Sequence, residues 1–364
     1  MEINMARVAV MGSGNGSQAM AADLTLKGHE VSLYESEQFA SSANAKYVFT
    51  NKEIRLEGRA GDGVANIACV TSDIAEAVKG AEVIFLPLPA FSHDYYAEML
   101  ADVVEDGQVI VLTPGNLGSL VFKRAFADKG VSADVVFCET ATLNYDARIL
   151  EPGHVYVYDR NYEIKCGVLP ASKSDEVYKI LEKYYGEFIP CEDVLACGLH
   201  SLNPCLHIPG CVMNAGRIER SKGNFYLYEE GITPTVARVM EVLDAERAAI
   251  VNALGYDLMT VAMELAEGRE PRTIWEEVNG CQTLEFIKGP TSLKNRYFTE
   301  DIPYGLVAWS DLGNMLGVPT PLIDAFIEIG SVIIEQKPRE TGRTLDKMGI
   351  SGMSIDELKK YLGH

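Results

Sequence analysis

The stretch from Arg7 to Glu35 constrains this chain more than any other. Val8-Ala9-Val10-Met11 is apolar without alternation, as expected of a parallel strand covered on both faces. A glycine turn follows, Gly12-Ser13-Gly14-Asn15-Gly16-Ser17. An alanine-rich helical stretch then runs from Asn15 to Lys27 and stops at Gly28, and Val31-Ser32-Leu33-Tyr34 forms a second apolar strand ending on Glu35. Strand, turn, helix and strand make a βαβ unit, which commits the N-terminal part to a parallel sheet with helices on its faces.

The turn has the parts a dinucleotide needs. Gly12 permits the tight exit from the strand, and Gly14 lets backbone approach a pyrophosphate. The helix that opens at Asn15 and Gly16 presents free N–H groups and the positive end of its dipole to that anion. Ser17 stands where the motif has its third glycine and is small enough for helix to pack on strand. Glu35 lies about 20 residues further on, where a carboxylate accepts hydrogen bonds from ribose hydroxyls and repels a 2′-phosphate. NAD is therefore expected, with NADP disfavoured. The alternative is an ordinary βαβ unit with a glycine-rich turn.

A length of 364 residues suggests two domains. The net charge of −20 argues against nucleic acid and anionic lipid as partners, and anionic substrates would need local cations. No apolar run has the length of a membrane span, and the first strand begins too early for a signal peptide, so a cytoplasmic protein is expected. Of the eight cysteines, Cys191, Cys197, Cys205 and Cys211 cluster near His200 and His207. No CxxC pair occurs, so no metal site is expected, and disulfides are not expected either.

Beyond Glu35 the alternation continues. Strands are expected at Asn66–Val70, Glu82–Leu86, Val109–Leu112 and Val135–Cys138, with helices between them. Pro87-Leu88-Pro89, Thr113–Asn116 and Glu139–Thr142 fall at the carboxyl edge, where open α/β sheets bind ligands. Val155–Tyr158 and Ile164–Leu169 suggest an antiparallel appendage to the same sheet. After Cys191 strand patterns cease. Thr233–Leu254 carries apolar residues at helical spacing, capped by Thr233 with Pro234 in the first turn, and Arg247 on that face is expected to meet a buried acid. Further helices are expected at Leu258–Glu267, Ile302–Leu316, Pro321–Ile334 and Ser354–Tyr361. The chain thus divides into a Rossmann-type doubly wound α/β domain, residues 1–190, and an all-α domain, residues 191–364. Apolar helical faces in the second half make a homodimer plausible.

Two constellations mark the helical half. Asn203 and His207 are four apart and share a helix face, so an amide could orient a substrate beside a group that transfers protons near neutral pH. Equally, His207 could be a satisfied core histidine near a proline-flanked helix start. Arg296 offers a fork for a carboxylate. Asp301, just before Pro303, reads either as a helix N-terminal carboxylate or as the partner of a histidine.

The wording of the chain resembles the octopine/nopaline (opine) dehydrogenases. The resemblance rests on Gly12–Ser17, Asn203-Pro204-Cys205-Leu206-His207, Arg296 through Gly305, Gly317–Pro321, and Gly342–Leu345 with Gly349. It implies a reductive condensation: an amino acid and a 2-oxo acid such as pyruvate form an imine, which NADH reduces, and the reverse. By the family pattern His207 would be the general acid–base and Asp301 its partner. Arg296 would hold the oxo-acid carboxylate, Asn203 would assist substrate placement, and Thr140 would stand on the amino-acid side. One difference is that Ile208 separates His207 from Pro209. The competing assignments are another two-domain dehydrogenase, of ketopantoate reductase or glycerol-3-phosphate/3-hydroxyacyl type, and a non-catalytic NAD-binding sensor.

Overall fold

The computed structural model describes residues 6–161, 163–186, 188–282 and 284–364. Two compact units emerge. One runs to Gly198 and takes in Glu357–His364; the other is Leu199–Asp356. The division thus falls beyond Cys191, where the sequence placed it, and the tail returns to the first unit. The reason is local: helix Val194–Leu199 keeps Cys197 against β-sheet carbonyls and Gly198 against Leu117.

Among the described residues of the first unit, the strands form two sheets. They are β1 (Arg7–Met11), β2 (Glu30–Tyr34), β3 (Glu53–Gly58), β4 (Gly63–Asn66), β5 (Cys69–Thr71), β6 (Val83–Leu86), β7 (Val109–Leu112), β8 (Val136–Thr140), β9 (Tyr145–Glu151), β10 (His154–Arg160), β11 (Ile164–Leu169) and β12 (Phe188–Pro190). The larger sheet has the order β12-β11-β8-β7-β6-β1-β2-β5. From β5 to β8 every pairing is parallel, and β11 runs antiparallel to β8. β6 and β7 are buried along their whole length, as their unbroken apolar runs require. The chain winds one way from β1 to β2 and the other way to β6. The glycine turn leaves β1 at that switch point, the place where doubly wound sheets bind ligands.

The second sheet has the order β4-β3-β10-β9. The single appendage expected for Val155–Tyr158 and Ile164–Leu169 is therefore two separate things: β10 belongs to the second sheet and β11 to the first. Likewise Asn66–Val70 is split between β4 and β5, one in each sheet. Between the sheets lies α1 (Asn15–Leu26), which touches β1 and β2 on one side and β3, β4, β9 and β10 on the other. Gly16 through Leu24 are all buried, which explains why this helix has little amphipathic character. Its buried Asp23 accepts from the Tyr145 hydroxyl at 2.6 Å and from Lys27 at 2.9 Å. Later, α2 (Gly118–Asp128) follows β7.

The second unit is helical: α3 (Asn203–Val212), α4 (Pro234–Leu254), α5 (Arg296–Thr299), α6 (Val307–Leu316) and α7 (Pro321–Ile334), with shorter helices between. α4 is central and packs on α3, α6 and α7. Thr233 caps it by accepting from the Val236 N–H, and Gly255 ends it in the left-handed conformation. Arg247 is fully buried; it donates to Asp244 Oδ1 and to the carbonyls of Leu199 and Met259. A buried guanidinium is tolerable only with such complete pairing. Among the described residues no helix is long and apolar enough to cross a membrane, and no group of three or more His, Cys, Asp or Glu side chains could hold a metal ion.

Candidate active site

In the first unit, the candidate dinucleotide site is the turn after β1. Gly12 has φ +84°, and a Cβ there would lie 2.5 Å from Leu88 Cδ2. Only glycine satisfies both conditions. Its N–H donates to the Tyr34 carbonyl at 2.7 Å, tying the turn to β2. Gly14 caps α1 without any side-chain bond, a Cβ there would meet open space, and the first turn carries no acid. The first N–H groups of α1 thus face a region a phosphate can enter. A Cβ at Gly16 would press on Leu143 at 3.1 Å. Asn15 turns its side chain elsewhere, accepting from the Ile149 N–H at 2.9 Å, so it fixes α1 to β9. Ser17 donates to the Met11 carbonyl at 3.0 Å, the close helix–strand contact a third glycine would otherwise allow.

Glu35 meets this turn. Its Oε2 accepts from the Ser13 N–H at 2.9 Å and the Ser13 hydroxyl at 2.8 Å, and its Oε1 accepts from the Ser36 N–H at 2.8 Å. Sequence reasoning missed Gln18, whose amide donates to the Ser13 carbonyl at 2.9 Å from a fully buried position. The residues present fit an NAD dinucleotide: an open glycine cradle at a helix N-terminus, and a fixed carboxylate beside it to receive ribose hydroxyls.

At the carboxyl edge of the sheet Thr140 is buried, and its hydroxyl donates to the Thr142 carbonyl at 2.7 Å, which makes it a turn former in this structure. The neighbouring Glu139 is the more consequential residue. Its fully buried carboxylate accepts from the N–H groups of Leu117 (2.8 Å) and Ser119 (3.2 Å) and from the Ser119 hydroxyl. It thereby holds the start of α2 and the preceding Asn116 and Leu117, both at positive φ. Gly115 is required there, because a Cβ would collide with Glu139.

In the helical unit, a separate constellation is built on α3. Pro204 sits in its first turn and Pro209 inside it, so the helix runs continuously past the Ile208 insertion. His207 and Asn203 fall on one face, both half-buried. Asp301 follows α5 and immediately precedes a five-residue π-helical turn, Ile302–Leu306, of a kind frequent at functional sites. Asp301 makes no side-chain cap to that turn. Instead its Oδ2 lies 2.7 Å from His207 Nδ1, and each side chain is 12% exposed. An ionised carboxylate only accepts, so Nδ1 carries the proton and Nε2 is left to act on a ligand.

Tyr297 of α5 stacks on the His207 ring, centroids 4.0 Å apart and planes inclined by 28°. No sequence pattern points to this contact. Cys211, one turn beyond His207, is pushed up by burial and by the Asp301 charge; burial and then neighbouring Tyr297 push up Tyr228. Both are held toward their protonated forms. Arg296 is drawn elsewhere: its Nε lies 3.5 Å from Glu300 Oε2, and 59% of its side chain is exposed.

Residues 190–334 match the NAD/NADP octopine/nopaline dehydrogenase alpha-helical domain, and residues 7–114 match the coenzyme F420-dependent NADP oxidoreductase family. The chain is 36% identical over 349 residues to an opine dehydrogenase of Arthrobacter sp. (strain 1C), covering 95% of this chain and 96% of the relative. Its fold is similar to octopine dehydrogenase solved with NADH and L-arginine (TM-score 0.78, 20% identity, 97% and 98% of the two chains). The same enzyme solved with NADH and pyruvate gives TM-score 0.77 at 20% identity, covering 98% of each chain. A chain with this fold and this dinucleotide turn is a two-domain NAD-dependent dehydrogenase. It belongs to the octopine/nopaline (opine) dehydrogenase family, whose members are oxidoreductases acting on CH–NH donors.

Proposed function

We propose that this opine dehydrogenase joins the amino group of an amino acid to a 2-oxo acid such as pyruvate, with His207 as the proton-transfer group and Asp301 as its partner. The observation that carries the residue assignment is the 2.7 Å Nδ1···Oδ2 contact between two side chains 94 positions apart. NADH, when bound, supplies the hydride that reduces the imine carbon.

The chain's own residues handle the protons. An amino acid arrives as an ammonium ion and attacks only once neutral. His207 Nε2 takes a proton from it, and the freed amine adds to the oxo-acid carbonyl. Loss of water from that adduct requires protonating its oxygen, and the imidazolium returns the proton there. Addition leaves a second proton to move: the now neutral His207 takes it from the adduct nitrogen and delivers it to the same oxygen, which departs as water, leaving a protonated imine and His207 as it began. Asp301 holds Nδ1–H throughout and balances the transient imidazolium charge. Arg296 retains N–H donors beyond the one facing Glu300 and would grip the oxo-acid carboxylate. Asn203, on the histidine's helix face, would orient the substrate. Thr140 would contribute through the turn it shapes. With Glu35 at the dinucleotide turn, NADH is the reductant, and the cytoplasm, with its NADH pool, is the setting.

The test follows NADH absorbance while oxo acids are offered alone and with each common amino acid. A pairing that clearly exceeds either substrate alone is expected, and His207→Ala should abolish turnover while NADH still binds. If no pairing exceeds its components, or the alanine variant turns over normally, the reading is wrong.

A further inference from the structure

We infer that Tyr297 is a positioning residue for the proton-transfer histidine, an inference that rests on the role given to His207 above. The Asp301 contact pins the imidazole at one nitrogen only. A ring held at one point can still tilt about that contact, which would swing Nε2 away from the reacting atoms. The second constraint is the Tyr297 ring, stacked face to face at 4.0 Å and 28°.

The surroundings are built to hold that ring. Asn295 caps α5 by accepting from the Tyr297 N–H at 3.2 Å, and the Thr299 hydroxyl donates to the Asn295 carbonyl at 3.3 Å. Phe298, fully buried, anchors the turn on its other side. Successive residues of this one turn therefore diverge: Arg296 faces out, Tyr297 lies on the imidazole and Phe298 enters the core. The stack also places the electron-rich face of an aromatic ring against a group that becomes cationic during turnover, an attractive arrangement. Asp301 and Tyr297 thus act on the same ring along different directions: one fixes the tautomer, the other the plane.

The test compares Tyr297→Phe and Tyr297→Trp, which keep a π face, with Tyr297→Leu, which keeps apolar bulk alone. The expected result is kcat within about twofold of the parent for Phe and Trp, and a fall of about five- to tenfold for Leu, the size of one aromatic pair. KM for the oxo acid and the NADH dissociation constant should not change. In an Asp301→Ala background the Leu substitution should cost less than in the parent, because the ring has then already lost its hydrogen-bonded anchor. Should Tyr297→Leu fail to fold, Tyr297→Met carries the same expectation. Full kcat in the Leu variant, or an equal loss in the Phe variant, would overturn the inference. If His207→Ala also keeps its turnover, the fault lies with the proposed function itself; if His207→Ala is inactive and Tyr297→Leu is not, it lies with Tyr297 alone.

Discussion

Replacing Asp301 by asparagine tests the site most directly, because the change is nearly isosteric and touches one contact. The parent bond is short, 2.7 Å, joins two side chains each 12% exposed, and is charge-assisted. Such bonds contribute about 1.5–3 kcal/mol, roughly twice a neutral one. At 1.4 kcal/mol per factor of ten, the expected fall in kcat is about 10- to 150-fold. The lower end applies if the new amide turns its carbonyl to Nδ1–H and preserves the tautomer. The upper end applies if its NH2 donates to Nδ1, which moves the ring proton to Nε2 and leaves no base there. The effect belongs to the proton-transfer steps. The NADH dissociation constant should therefore stay at the parental value, and KM for the oxo acid should move by less than about threefold. Steady-state NADH oxidation at saturating substrates, with NADH binding followed separately by fluorescence, reads all three. A kcat within a factor of about two of the parent would refute the assignment. So would a loss confined to KM, which would make Asp301 a substrate-binding group.

Four further outcomes are expected. Glu139→Ala strands the Leu117 and Ser119 N–H groups in a buried site, a cost of about 2–6 kcal/mol, so the first unit should melt well below the parent with Glu139→Gln between them; equal melting would show the loop holds itself. Glu35→Ala removes the carboxylate held by Ser13 and should raise the NADPH-to-NADH ratio of kcat/KM by about tenfold or more, and an unchanged ratio would place ribose discrimination elsewhere. Glu277 is held down to about 2 by hydrogen bonds from Arg272 and then Arg269. Its folded value lies below the unfolded value of 4.5, so its contribution is present above 4.5 and fades as pH falls toward 2. The gap in melting temperature between the parent and Glu277→Gln should close over that window, and a constant gap would exclude the linkage. At Gly305 a Cβ would lie 2.7 Å from Pro204 Cγ, so Gly305→Ala should lower kcat while sparing NADH affinity, and a fully active variant would show that this approach does not set the histidine–aspartate distance.

Much of the framework was legible because it is local. The βαβ unit, α4 with its Thr233 cap, and α7 announce themselves through apolar period, caps and breakers within a few residues. The second sheet was not, although Ile54 and Leu56 of β3 alternate with polar neighbours. Its strands are short, and β3 pairs with β10, about a hundred positions away, so no local pattern records the partnership. Glu139 was hidden for a similar reason. An acid at a strand end gives no sign of the buried N–H groups it satisfies some 20 residues earlier. Spacing put Asn203 and His207 on one face and left Asp301 as a helix-start carboxylate; resemblance to a family, and not periodicity, joined the two. Tyr297 had no sequence mark at all, since stacking depends on where two helices meet.

That meeting is set by backbone more than by side chains. Pro204 fixes the first turn of α3 three residues before His207, and Gly305 belongs to the π turn that begins after Asp301. The absence of a side chain at 305 allows the turn to come against Pro204, closer than any Cβ would permit. A π turn also carries one more residue per hydrogen-bonded ring than an α-helix. Were Ile302–Leu306 wound as regular α-helix, Asp301 would be rotated relative to α6 by about 100°, one helical residue, and its carboxylate would face away from the imidazole. The histidine and the aspartate are common residues on unremarkable helices. What makes them a pair is a proline, a glycine and one over-wide turn, which is why the chemistry of this site is bound to this fold.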